Sequence, residues 1–264
     1  MLARTPVAIF SLLLSFICLA DGSSLIVENS RNQPKYIFSG DDSFEPFSWQ
    51  DGDNFRGIDI EVIMEMCNRL RWHCDFRLLP WRRTLTKVEQ GEVDGGFSAF
   101  VTEKRKSYSI FTKYPIHYST FYLYVKRGKE FSYNTLEDIY GKQIGLSLGF
   151  KLSPEFDQTA EEGKFTLVES QSMEDNVRKV IAERISAFVG NYHATERLLS
   201  VMDEHDSVTR HGKPIIPPKG AFLILSKHST LSSPDKVQLI NQTLQAMYDD
   251  QSIDRITQKY MAQP

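Results

Sequence analysis

The 264-residue chain has no metal-ligand spacing, no run of basic residues and only three cysteines. Each shortage removes a class of function. The six histidines are scattered, and the one close pair, His205 and His211, falls in a polar stretch that reads as solvated loop. No H-E-x-x-H, phosphate-cradling glycine loop or Ser-His-Asp sequence motif occurs, so no catalytic signature marks the chain as an enzyme. The 31 Lys and Arg are outnumbered by 34 Asp and Glu, giving a formal net charge of -3 with no basic cluster. That argues against a nucleic-acid partner. Beyond the first twenty residues no segment is apolar enough to span a membrane, and no internal repeat is evident. The remaining balance, 41% hydrophobic and 25% charged, suits one large core or two smaller ones.

What is present begins with a secretory leader. Arg4 supplies a positive n-region, residues 7–19 an apolar core, and Cys18-Leu19-Ala20 the small residues a signal peptidase reads. The apolar run is too short for a bilayer span, which needs roughly 20 residues. Ile17 is too bulky for a lipidation site at Cys18. Residues 1–20 are therefore expected to be cleaved, leaving a soluble exported protein in the periplasm. Cleavage leaves Cys67 and Cys74, an even pair in an oxidising compartment, which favours a disulfide. The alternative is two buried thiols on a helix and a neighbouring strand. A bond requires the helix to end near Leu70.

The most informative stretch is residues 91–105, G-E-V-D-G-G-F-S-A-F-V-T-E-K-R. Gly91 can stop a helix in the left-handed conformation. Residues 93–100 have the composition of a buried strand, weakened by the adjacent glycines. Thr102 can cap a following helix, with Glu103 in its first turn, where the helix dipole favours an acid. Arg105 then sits one turn into a helix that follows a strand. Ligands of open α/β sheets bind at the carboxyl ends of strands, so Arg105 is placed to hold an anion.

Around that stretch strands and helices alternate. Strands are expected at residues 36–39, 74–79, 110–111, 121–125, 143–148, 185–189 and 221–225. Helices are expected from Ile60, with apolar Ile63, Met64, Cys67 and Leu70 on one face, and from Trp81 to Gly91. Phe44, Phe47 and Trp49 fall in a loop that Pro46 keeps from being helical, and residues 51–54 form a turn. Thr135 with Asp138, and Ser172 with Asp175, mark further helix starts. Ser233-Pro234-Asp235 opens a helix near the end, and Ser252 caps the last one. Gly190-Asn191-Tyr192 reads as a turn, and residues 201–219, polar with three prolines, read mostly as loop. The order β-α-β-α-β occurs twice, which implies two lobes with mostly parallel sheets and covering helices.

Five segments carry a resemblance. They are D-D-S-F-E-P-F-S-W (41–49), F-R-G-I-D-I-E-V (55–62), the 91–105 stretch, L-E-D-I-Y-G-K-Q-I-G-L (136–146) and S-I-D-R-I-T-Q-K-Y (252–260). In this order they resemble the family 3 extracellular solute-binding proteins, known for delivering amino acids to ABC transporters. The resemblance implies a type II periplasmic-binding fold, two α/β lobes joined by a two-strand hinge and closing on a small ligand. Lobe 1 is expected to comprise residues 21–125 plus 222–264, and lobe 2 residues 126–221. Arg105 falls on the family's carboxylate-binding arginine, which agrees with the argument from strand position, since a guanidinium grips a carboxylate bidentately. Asp41 falls on a cleft-facing acid and Phe44 on the aromatic that stacks on the ligand. Ser98 and Phe100 lie where the site is lined, and Trp81 extends the pocket.

The departures bear on ligand identity. Amino-acid binders of the family end a second-lobe strand with an Asp that holds the ammonium group. Here R-I-S-A-F-V-G-N places Asn191 there, an amide with no charge. Gly149-Phe150-Lys151 stands where a G-T-T turn is usual, removing two hydroxyls and adding a cation at Lys151. Phe100 replaces a small residue. These changes argue against an ordinary L-amino acid and admit an anionic, aromatic-bearing or uncharged polar molecule. The expected function is capture of a small, carboxylate-bearing ligand by a monomer with no cofactor, for an ABC permease or a membrane sensor. The alternative is a dehydratase-like enzyme on the same fold, which would need a catalytic acid or base among Asp41, Asp42, Glu45 and Glu103.

Overall fold

Residues 34–261 are described in a computed structural model; the leader expected over residues 1–20 lies outside them. The chain enters through β1 (Lys35–Asp41). The aromatic loop is a small antiparallel ribbon instead, β2 (Ser43–Phe44), β3 (Ser48–Asp51) and β4 (Asn54–Arg56), with the expected turn between the last two. Phe44 and Phe47 are buried beneath it, while Pro46 stays in the turn between β2 and β3 and the stretch is not helical.

α1 (Ile58–Leu70) buries Ile60, Ile63, Met66 and Cys67 and stops where Arg71 turns left-handed. That ending lets β5 (His73–Leu79) fold back beside it, and Cys67 and Cys74 are disulfide-bonded. α2 (Trp81–Gln90) ends on Gly91 at φ 72, as the sequence requires. β6 (Gly95–Ala99) follows, then α3 (Glu103–Tyr108), whose cap Thr102 accepts the Arg105 N–H, then β7 (Ser109–Phe111). β1 lies between β5 and β6, parallel to both.

β8 (His117–Lys126) opens the second half. After it come β9 (Gln143–Ser147), α4 (Pro154–Glu161), β10 (Thr166–Ser170), α5 (Met173–Ile181), β11 (Ala187–Asn191) and α6 (Tyr192–Met202). β9 is parallel to β10 and β11, while β8 runs antiparallel to β11. β10 was not foreseen. The turn expected at Gly190–Tyr192 is instead the direct junction of β11 and α6, where Asn191 ends the strand and caps the helix by accepting the Ala194 N–H at 3.1 Å.

The largest correction is β12 (Val208–Ser226), nineteen residues that take in 208–219 of the loop expected over 201–219, while residues 201–202 end α6. It pairs with β8 from Val208 to Ala221, then with β6 and β7 from Phe222 to Ser226. Its ladder shifts on both sides of Ile216, so Pro214, Pro217 and Pro218 sit where pairing is irregular and a missing N–H costs little. Local composition reads as loop there; the facing strand decides otherwise. α7 (Pro234–Asp249) and α8 (Ser252–Met261) then pack on α1. The nine-stranded path β10-β9-β11-β8-β12-β6-β1-β5, with β7 on β12, is thus parallel within each lobe and antiparallel through β8 and β12.

Candidate functional site

β1 and β6 run parallel, so their carboxyl ends open toward the same side. Asp41 ends β1, Phe44 ends β2, Ser98 lies in β6 and Phe100 follows it. From the second half come Ser119 and Phe121 of β8 and the turn after β9 that carries Phe150 and Lys151. Together with Trp81 and Arg105 they surround a chamber of about 30 Å³.

Arg105 is 4% exposed. Its Nη1 donates to the Phe100 carbonyl at 2.8 Å, and its Nη2 to the Gly149 carbonyl at 3.1 Å, which joins the two halves. Its guanidinium lies 5.4 Å from the centre of the Trp81 ring. Among the described residues it forms no ion pair. Burial pulls its pKa below the usual guanidinium range, an effect partly offset by Tyr108 and Asp157. Asp41 is half-buried; burial pushes its carboxyl up to about 7, against the Ser43 N–H that stabilises the anion and with Asp42 adding repulsion.

The aromatic side chains form a cluster. The Phe44 ring stacks on Phe47 at 5.0 Å. Phe150 stands edge-on to Phe44, Trp81 and Phe121, each 6.3 Å away between centroids. Lys219 lies 4.6 Å above the Phe100 ring and donates to the Leu152 carbonyl at 2.7 Å. A second chamber of about 470 Å³ shares Arg105, Phe150 and Lys151 with the first and continues past Arg82 and Lys104. Lys151 faces Asp157 and Glu161 at 3.9 and 3.8 Å.

Asn191 is placed differently from the expectation. It is fully buried and does not line the small chamber. Its amide donates to Ser119 Oγ at 2.9 Å, and Ser119 lies 2.9 Å from Nε2 of His117. His117 Nδ1 lies 2.6 Å from Oδ1 of Asp59, and the other Asp59 oxygen accepts the Ser98 hydroxyl. Ser98 itself has φ 63, a left-handed backbone uncommon for a side-chain-bearing residue. One polar chain therefore runs from β6 through α1 and β8 to the cap of α6. Reasoning from sequence passed over Asp59, His117, Ser119 and Phe121. A signal was available for three of them, since His117, Ser119 and Phe121 alternate on one face of a strand.

Among the described residues no cluster of three His, Cys, Asp or Glu is arranged to hold a metal, and no helix is long and apolar enough to cross a membrane.

A sequence profile of bacterial extracellular solute-binding proteins, family 3, matches residues 36–263. The arginine-binding extracellular protein ArtP of Bacillus subtilis is 22% identical over 253 residues, covering 94% of this chain and 93% of that protein. A structure of an ancestral arginine-binding protein bound to arginine superposes with a TM-score of 0.74 at 19% identity, over 86% of this chain and 98% of that one. A histidine kinase sensor domain similar to periplasmic binding proteins gives 0.75 at 16% identity, over 87% and 97%.

Proposed function

The chain belongs to the bacterial extracellular solute-binding proteins, family 3, and from that premise we propose that it captures a small carboxylate-bearing ligand between its two lobes. Arg105 carries this reading. A buried guanidinium without an ion pair among the described residues, bonded to two backbone carbonyls and to the Tyr108 side chain, is a cation held ready for an acid oxygen. An amino acid or a related metabolite would bring that oxygen. The relatives named for arginine binding support capture of an amino-acid-like molecule. The family's extracellular character fits export by a cleaved leader to the periplasm, a monomeric state and delivery to an ABC permease. A membrane sensor is the other destination, in line with the sensor-domain relative.

The lobes are assigned from strand pairing. Residues up to about 116, with 222–261, form the first, and residues 117–221 the second. The support is that β12 changes partners between Ala221 and Phe222, and that β8 pairs from His117 onward with β12 and β11. The first crossing is thus drawn nearer to His117 than to residue 125, the boundary that the resemblance implies.

An enzyme on the same fold is the second reading, favoured by one observation. Asp59, His117 and Ser119 are linked at 2.6 and 2.9 Å in the order of a hydrolase triad, and Ser119 borders the small chamber. A thermal-shift screen of metabolites separates the two. Ligand capture predicts that a carboxylate-bearing compound raises the melting temperature and that Arg105→Gln removes the rise. A hit that is consumed by the purified protein, as seen by mass spectrometry, would favour the enzyme.

A further inference from the structure

The turn after β9 brings two groups into the site in an arrangement that a ligand would share. The Gly149 carbonyl oxygen accepts from Arg105 Nη2 at 3.1 Å, where an acid oxygen would sit. The next residue inserts a flat ring among three others. Phe150 meets Phe44, Trp81 and Phe121 edge-on at interplanar angles of 84°, 80° and 79°, the geometry that aromatic rings favour. Carbonyl oxygen and ring come from adjacent residues of one turn.

Phe150 is also a partition. It borders both the chamber of about 30 Å³ and the neighbouring one of about 470 Å³. The smaller has room for about one water molecule. The larger is within the range of small-molecule pockets. Turning Phe150 into the larger space would join them and leave a cage of Phe44, Trp81 and Phe121 beside Arg105. The turn lies outside any helix or strand, and Gly149 at φ +86 packs against the start of α2.

We infer that the site accepts an aryl carboxylate, and that the Gly149–Phe150 turn occupies its place until the ligand displaces it. This rests on the reading of Arg105 as a ligand-capturing residue. The ligand's carboxylate takes over the Arg105 bond held by Gly149, and its ring takes the position of Phe150. The charge of the chamber wall agrees: Arg105 and Lys151 border it, and Asp41, its one acid, has its carboxyl pushed up to about 7 by burial, so it is only partly ionised near neutral pH and offers an ammonium group less than a full charge.

Calorimetric titration of phenylacetate, cyclohexylacetate and L-arginine into the wild type and Phe150→Ala tests this. The wild type should bind phenylacetate, and Phe150→Ala should bind it about tenfold tighter, because a site blocked by its own side chain binds in proportion to its open fraction. Cyclohexylacetate, similar in size but not flat, should bind at least about tenfold more weakly than phenylacetate, since edge-on contacts need a ring π-system. Phe150→Leu should fall between and serves if the alanine variant melts early. Equal affinity of wild type and Phe150 variants for phenylacetate overturns the displacement. Equal affinity for the two acetates overturns the aryl specificity. Binding of L-arginine without phenylacetate overturns the inference and leaves ligand capture standing. Phenylacetate binding that survives Arg105→Gln overturns the shared premise as well.

Discussion

His117 Nδ1 lies 2.6 Å from Asp59 Oδ1, with the two side chains only 2% and 0% exposed. The contact joins the first turn of α1 to the first residue of β8. His117 is further fixed by the Phe47 ring, stacked on it at 4.1 Å, and by Ser119 at its other nitrogen. A carboxylate at the start of a helix is favoured by the dipole, and here it also orients the imidazole.

Asp59→Ala should therefore destabilise the protein by about 3 kcal/mol or more, because it leaves the buried His117 Nδ1 and the half-buried Ser98 hydroxyl without their shared partner. The double variant with His117→Ala should lose less than the sum of the two single losses, by roughly 1–3 kcal/mol. Urea denaturation of the four proteins measures this cycle, and additive losses would mean the two residues act independently.

Asp41 makes stability depend on pH. Its folded pKa, about 7, lies above the ordinary 3.8, so the folded state favours the protonated form. As pH rises from about 4, the unfolded chain ionises first and the native state loses ground until about pH 7. The full shift sets an upper bound of roughly 4 kcal/mol on this loss. Asp41→Asn should flatten the decline and be more stable than wild type at pH 8. Denaturation midpoints taken between pH 4 and 8 would show it; a parallel decline in both proteins would exonerate Asp41.

Arg105→Gln should separate binding from stability. Losing a buried charged contact to a ligand's acid oxygen costs about 2–5 kcal/mol of affinity, roughly thirtyfold or more. Without ligand the variant should melt no lower than wild type, since a buried unpaired cation carries its own desolvation cost. Calorimetry on any confirmed ligand, with melting curves alongside, checks both halves.

The Cys67–Cys74 bond closes a short loop of sequence separation 7. Loop closure of that size is worth about 2–2.5 kcal/mol through the unfolded state. Replacing both cysteines by serine should lower stability by about this amount and remove the sensitivity of the melt to reductant. An unchanged melting temperature would show that the helix and strand hold the pair together unaided.

Much of this protein was legible one segment at a time. Gly91 ending α2, Thr102 capping α3, Ser172 capping α5 and Pro234 opening α7 are local matters of backbone freedom and a nearby hydroxyl or ring, so the residues announce them. The placing of Arg105 beside a strand end followed from the same short-range logic. What the tertiary structure decided depends on partners far off in sequence. The prolines of β12 are accommodated because β8 pairs on either side of them. Asp59 meets His117 across 58 positions, Gly149 meets Arg105 across 44, and Asn191 turns from the cleft to cap α6 and hold Ser119. Phe150, in sequence only a departure within a turn, becomes a wall of the site because the two lobes bring three other rings around it. Caps and turns involve neighbours within a few residues, whereas a cleft is made from side chains whose proximity exists only after both lobes have folded.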